Sequence, residues 1–384
     1  MGNKFVYTPG PTMVRENVRF EMSKATTNPD VDKEFVEFYK NCCDKISDII
    51  GAKNSDTYIL SGEGILGLEA ACASLTETGD KVLVIDNGVF GKGFDSFVEL
   101  YGGEVTYFKG NYNNEINIDD LKVFLQKNNN FKYATIVHCD TPTGMLNNIA
   151  EICPLLKSYG IITVVDSVSA MVGESFKMDD WQVDIALGGS QKAFSAPIGL
   201  TIVSISEDAK RVIKDRKENI KSFYCNLTIW ENYYKDKWFP YSMPISDIIA
   251  LDKAVDNILE EGIERVIERH KKIAMAVRKA IKSIGLDLYQ QTGFSNTVTA
   301  VAIPKEIGAL NLRNHIEKEY NVIFSTSIAE FENQILRIGH MGENARFEFI
   351  VLALDCIEKG LKDLGFNSDL SLVNEFILEY NKKD

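Results

Sequence analysis

The chain has 384 residues, 45% of them apolar and 25% charged, with a formal net charge of −13. That length exceeds what one compact core organises, so two domains, or a large one with a smaller companion, are expected. An acidic surface excludes nucleic acid and anionic membrane as expected partners, and no apolar run reaches the length of a membrane-spanning helix.

The segment Met1 to Val14 holds Lys4 but no apolar stretch, and Pro9-Gly10-Pro11 interrupts it, so no signal peptide is expected. Tyr7 to Thr12 cannot be helical, and the chain up to Asp30 reads as an arm. From Val31 to Gly51 the spacing of Phe35, Phe38, Tyr39, Cys42, Ile46 and Ile49 is helical. Short apolar runs then alternate with helical patterns. Strands are expected at Tyr58–Leu60, Lys81–Ile85, Glu104–Phe108, Tyr133–His138, Ile161–Asp166 and Val183–Leu187. Helices are expected after Ser61 through Leu75, after Gly91 to Tyr101, over Ile118–Lys127 and over Ile152–Tyr159. This alternation predicts an α/β fold: a large, mixed, mostly parallel sheet with helices on both faces. From Ser246 one long helical stretch is expected through Lys282. A smaller α+β region follows, with strands at Val298–Ala302 and Gln334–Ile338. The seven cysteines are scattered without a CxxC, and the four histidines are far apart, so no metal site is expected. Reduced structural thiols in a cytoplasm are the expectation.

Ligands in open α/β sheets sit at the carboxyl ends of strands, and three unusual groups fall at such places. Ser61-Gly62-Glu63-Gly64 follows a strand and opens a helix, where free N–H groups and the helix dipole suit a phosphate. Asp166 ends a wholly apolar strand, as a helix cap or as a buried charge held for a purpose. Lys192 lies among small residues just beyond the strand ending at Leu187, in a loop that reads as packed rather than solvated. A phosphate cradle, an acid and a lysine are what pyridoxal phosphate requires. The lysine forms an imine with the aldehyde, and the acid keeps the ring nitrogen protonated. Taken singly, Phe90 and Thr141 read as packing and turn residues, and Arg337 as a surface salt-bridge residue. His138 and His340 read as structural.

The run Val183-Asp-Ile-Ala-Leu-Gly-Gly-Ser-Gln-Lys192, followed by Gly199-Leu-Thr-Ile-Val203, resembles the lysine signature of the class V aminotransferases. Thr8-Pro-Gly-Pro11, Leu68-Glu-Ala-Ala71, Asn87-Gly-Val-Phe-Gly91, Thr141-Pro-Thr-Gly144 and Arg337-Ile-Gly-His-Met-Gly342 are similar, in order, to segments of the alanine–glyoxylate and serine–pyruvate branch. The resemblance implies the fold type I architecture of pyridoxal-phosphate enzymes: an arm over residues 1–22, a large cofactor domain over 23–254 and a small domain over 255–384. It implies Lys192 and Asp166 as catalytic residues. Gly62, Glu63, Gly64, Ile65, Phe90, Thr141, Gln191 and Ser242 would surround pyridoxal 5′-phosphate, with Ser242 supplied by the second subunit of a homodimer. Arg337 and Gly10 would meet the substrate. The implied reaction moves an amino group from a small amino acid to a 2-oxo acid such as glyoxylate or pyruvate.

The chain departs from the branch at four places. Glu63 stands where relatives carry Ser or Thr beside the phosphate, which a carboxylate repels. Ile65 replaces His or Thr, Phe239 replaces a phosphate-binding Tyr, and Thr26–Asp30 replaces a His-Arg pair. An aminophosphonate donor is the alternative within transamination, and it would want extra cations. Cysteine desulfurisation ranks lower, because Gln191 rather than His precedes Lys192 and no cysteine lies in a Gly/Ser-rich loop. A regulatory cofactor-binding domain would need a DNA-binding module, for which Met1–Asp30 is too short.

Overall fold

The computed structural model describes residues 4–382; the first three residues of the expected arm and the last two of the chain lie outside them. The large sheet has seven strands: β1 Ser55–Ser61, β2 Lys81–Asp86, β3 Glu104–Lys109, β4 Tyr133–Val137, β5 Ile162–Asp166, β6 Ile185–Gly189 and β7 Leu200–Ser206. Their order is β1-β7-β6-β5-β4-β2-β3. Only β7 runs against its neighbours, antiparallel to both β1 and β6, while the remaining pairs are parallel. Every residue of β4, β5 and β6 is buried. That is why these segments read as continuous apolar runs rather than alternating ones.

Helices start where the side chains permit. In α1, Lys33–Ile50, Asp32 caps the first turn by accepting from Glu34 N, and Gly51 ends the helix in the left-handed region at φ 64°. Helix α2, Gly64–Leu75, buries Ala70, Ala71, Cys72 and Ala73. Its Gly67 lies so close to β7 that a Cβ there would stand 3.2 Å from the Thr201 side chain. Helix α3, Val89–Leu100, follows β2 and buries Gly91, Phe94 and Val98.

Two expectations are corrected. The single helix expected through Lys282 is two, α4 Ile245–Glu261 and α5 Ile263–Ser283, divided at Gly262 with φ 86°. The helical periodicity persists across the break, but glycine admits a conformation that the pattern does not reveal. The arm is also more ordered than its prolines suggest. Phe5–Val6 pairs in parallel with Val322–Ile323, and Glu16–Glu21 is helical.

There are two main apolar cores. One gathers residues from Val18 to Val266, with Met341, and fills both faces of the large sheet. The other gathers Tyr7, Ile273–Leu286 and the C-terminal helices behind a second, four-stranded sheet. The cores change hands along α5, between Val266 and Ile273. The expected boundary at residue 254 falls inside α4, whose buried face belongs to the first core. The arm contributes Tyr7 to one core and Val18 to the other.

The cores also touch at the loop after the strand Ile335–Gly339. Gly342 N donates to His270 Nε2 at 2.8 Å, and Glu343 N donates to Ser195 Oγ at 2.8 Å. Gly342 has φ 58°, and a Cβ there would strike Ser195 Oγ and stand 2.8 Å from Ala193 O. Gly342→Ala is therefore expected to cost about 1–3 kcal/mol through overpacking and an unfavourable backbone, read as a lower denaturant midpoint at unchanged m-value.

Candidate active site

The carboxyl ends of β4, β5 and β6 converge with the turn after β1 and the amino end of α3 on a cleft of about 260 Å³. Its wall includes nine of the expected residues: Gly10, Glu63, Gly64, Ile65, Phe90, Thr141, Asp166, Gln191 and Lys192. Gly62, Ser242 and Arg337 are not on the wall. Gly62 braces the turn from behind, its N–H donating to Gly199 O at 2.8 Å. Ser242 is exposed outside the cleft of its own chain and donates to Asp30 Oδ2 at 2.8 Å.

Lys192 is held along its whole length. Thr12 N donates to Gln191 O at 3.0 Å, and Thr12 Oγ1 donates to Lys192 O at 3.0 Å. Ser195, at φ 55°, closes the loop through its N–H to Lys192 O at 2.9 Å. The amine Nζ donates to Pro9 O at 2.7 Å. Gly10 lies against the side chain: with φ 104°, a Cβ there would come within 2.7 Å of Nζ. Burial lowers the Lys192 pKa to about 8, helped by the Arg337 charge and opposed by Asp166.

Asp166 is buried, and its Oδ1 accepts from Val168 N at 2.9 Å. Among the described residues Oδ2 receives no hydrogen bond. Burial raises its pKa to about 7, against the Val168 N–H and the Lys192 charge. Sequence reasoning missed Asp140, one residue before the Thr141 turn. Its Oδ1 accepts from Phe90 N at 2.8 Å and its Oδ2 from Thr143 Oγ1 at 2.8 Å, so it holds the first turn of α3 at Phe90. Val168 and Ser169 were missed as well; they line the cleft two and three residues after Asp166. Thr141 and Ser169 share a hydroxyl–hydroxyl hydrogen bond.

Arg337 is not the surface residue that it resembled in isolation. Its Nη1 donates to Thr141 O at 3.2 Å and its Nε to Thr326 O at 2.8 Å, just behind the wall. No carboxylate pairs with it among the described residues. Burial lowers its pKa to about 10, opposed by Asp140. His138 and His340 are buried and hydrogen-bonded to Ser167 and Thr299, and burial pushes both to about 3, so they stay neutral.

A pyridoxal ring fits this cleft. Asp166 offers a free oxygen for the ring nitrogen, Phe90 and Val168 offer apolar surface, and Lys192 offers a buried amine. The phosphate end is different from expectation. Ile65 N, one of the expected phosphate donors, already donates to Glu63 Oε1 at 3.2 Å. Apart from Lys192, no cation lines the cleft among the described residues.

The Lys192 environment sets two expectations. In ring-free protein, capture of pyridoxal by Lys192 should rise with pH and reach half-maximum near 8, because only the neutral amine attacks; stopped-flow absorbance checks this. Gly10→Ala should displace the Lys192 side chain and cut that capture rate at least about tenfold, while circular dichroism stays native.

The pattern of the family described as Aminotransferase class-V matches residues 9–326. A pyridoxamine–pyruvate transaminase of Mesorhizobium japonicum is 33% identical over 339 residues, covering 88% of this chain and 86% of that one. Among solved structures, ureidoglycine–glyoxylate aminotransferase from Bacillus subtilis superposes with a TM-score of 0.94 at 27% identity, covering 100% and 99% of the two chains. Pyridoxamine–pyruvate aminotransferase from Mesorhizobium loti gives a TM-score of 0.94 at 30% identity, covering 98% and 97%.

Proposed function

The chain belongs to the class V aminotransferases, and from that membership we propose that it moves an amino group between a small amino acid and glyoxylate or pyruvate. The observation that carries this reading is the coincidence, around one cleft, of a buried amine, a carboxylate with a free oxygen and a buried guanidinium without a carboxylate partner. The family implies pyridoxal 5′-phosphate as cofactor. A bound pyridoxal ring would supply an electron sink for the bonds at the amino-bearing carbon.

The chain's own residues do the rest. Asp166, through Oδ2, would hold the proton on the ring nitrogen; a positive ring nitrogen returns the carboxyl from its raised value to the ionised state. Lys192 Nζ, displaced from the ring by the incoming amine, would take the proton from the substrate carbon as general base and return it on the far side of the transfer. Its lowered pKa keeps a useful fraction neutral near physiological pH. The Pro9 carbonyl gives the freed amine a resting partner at 2.7 Å. Arg337 would meet the carboxylate of the amino or oxo acid with its two-pronged fork. Phe90, fixed by Asp140, supplies flat apolar surface for the ring.

The functional unit in this reading is a homodimer in which Ser242 completes the neighbour's site, which its exposure outside its own cleft supports. All seven cysteines are free and buried, which supports a reducing compartment such as the cytoplasm. The same burial weighs against a desulfurase loop thiol. A phosphonate donor is disfavoured, because the cleft wall offers no second cation among the described residues.

Lys192→Ala should abolish the yellow absorption that forms when a pyridoxal ring is added. Arg337→Ala should keep that colour yet raise KM for pyruvate and glyoxylate roughly ten- to hundredfold, the equivalent of one lost charged hydrogen-bond pair. Steady-state kinetics with unchanged KM would remove Arg337 from carboxylate binding.

A further inference from the structure

We infer that this cleft takes the pyridoxal ring without its phosphate, so that unphosphorylated pyridoxamine is an amino donor and pyridoxal a released product. The inference rests on the aminotransferase reading above and names the amino donor that it leaves open.

The argument starts at Glu63. The side chain caps α2, its Oε1 accepting from Ile65 N at 3.2 Å. A helix amino end attracts anions through unpaired N–H groups and the helix dipole. Here the chain's own carboxylate already takes that position. A phosphate monoester carries close to two negative charges near neutral pH. To bind there it would have to displace Glu63 from Ile65 N and then sit beside it.

Nothing on the wall offsets that repulsion. The charged residues lining the cleft are Glu63, Asp166 and Lys192. Lys192 is committed to the ring aldehyde, and Asp166 to the ring nitrogen. Arg337 is not on the wall: it stands behind it at the Thr141 turn, where its fork is left for the substrate carboxylate. Of the uncharged side chains on the wall, Ile65, Leu68 and Ile198 are apolar, and Gln191 is an amide with no charge to set against a phosphate.

A hydroxymethyl group meets this wall on different terms. It is uncharged and carries an O–H that can donate to the Glu63 carboxylate. Gln191 adds a second acceptor: it is buried to 5% exposure, lines the cleft, and its Oε1 has no hydrogen-bond partner. A phosphate monoester is mostly dianionic at neutral pH and then has no proton to offer that oxygen. Because an amide can turn either end to a ligand, Glu63 rather than Gln191 decides the preference. Two relatives whose names specify pyridoxamine and pyruvate, the Mesorhizobium proteins at 33% and 30% identity, are consistent with it.

Loss of the phosphate changes what the ring is to the enzyme. Without a charged anchor the ring would be free to leave once its carbon–nitrogen bond is broken, and it becomes a substrate. The exchange balances without an added oxidant. The CH2–NH2 of pyridoxamine becomes the CHO of pyridoxal, losing three hydrogens and the amino nitrogen and gaining the keto oxygen. The C=O of pyruvate becomes the CH–NH2 of alanine.

The test titrates ring-free, full-length protein with pyridoxal and, separately, with pyridoxal 5′-phosphate, following the yellow band. It is repeated with Glu63→Ser, which keeps a capping oxygen and removes the charge. The expected result is pyridoxal bound at least about tenfold more tightly than its phosphate by the wild type, with the preference reversed in Glu63→Ser. In a second assay, excess pyridoxamine and pyruvate should yield free pyridoxal and alanine over many turnovers per enzyme. Tighter binding of pyridoxal 5′-phosphate by the wild type, with retention through dialysis, would overturn the inference and leave the aminotransferase reading standing. So would a Glu63→Ser change that moves both affinities equally. If neither ring produces the Lys192 band, the aminotransferase reading fails and this inference with it.

Discussion

The cleft depends on keeping one lysine amine out of water. A solvated lysine is an ammonium ion and no nucleophile at neutral pH. Burial moves Lys192 from 10.5 to about 8, roughly 3 kcal/mol less stabilisation of the charged form. Such a group persists only if its surroundings hold it in place, and much of the site's architecture does so. The Pro9 carbonyl receives the amine, Gly10 gives it room, Thr12 clamps the backbone and Ser195 closes the loop below. The small core reaches this loop through Glu343 N and Gly342.

The other charges fall into place around that amine. Asp166 counters the loss of solvation and is itself raised to about 7, so the two buried groups sit within reach of each other's titration. Arg337 pushes the amine further toward neutrality while keeping its own fork free of any carboxylate among the described residues. Asp140 tempers the guanidinium and, through Phe90 N, sets the start of α3. Electrostatics and placement are thus shared by the same few side chains. This differs from a surface salt-bridge network, where each pair is nearly independent.

Much of this was legible in the chain. The apolar runs that became β4, β5 and β6 are buried along their full length, so their lack of alternation was itself the signal. The strand-end positions of Asp166 and Lys192 followed from that register, and the family resemblance joined them to Phe90 and Thr141. What was not legible is long-range or conformational. The break at Gly262 leaves the helical period intact. The pairing of Phe5–Val6 with Val322–Ile323 joins segments that share no local pattern. Asp140 drew no notice in the sequence, because its role comes from an amide fifty residues away. Glu63 was recognised as out of place, but only the fold shows it bonded to the helix end.

The arm carries a consequence for how the protein comes to exist. Its residues are synthesised long before their partners: Phe5 pairs with Val322, and Met13 N donates to Asn344 Oδ1 at 2.8 Å. Pro9 and Gly10, which border the Lys192 amine, sit between those two attachments. The large sheet is complete once the chain has reached Ser206, but the wall beside Lys192 must wait for the segment through Asn344. Contacts of such sequence separation form late. A chain that stops before Val322 therefore lacks both anchors of the arm that borders Lys192.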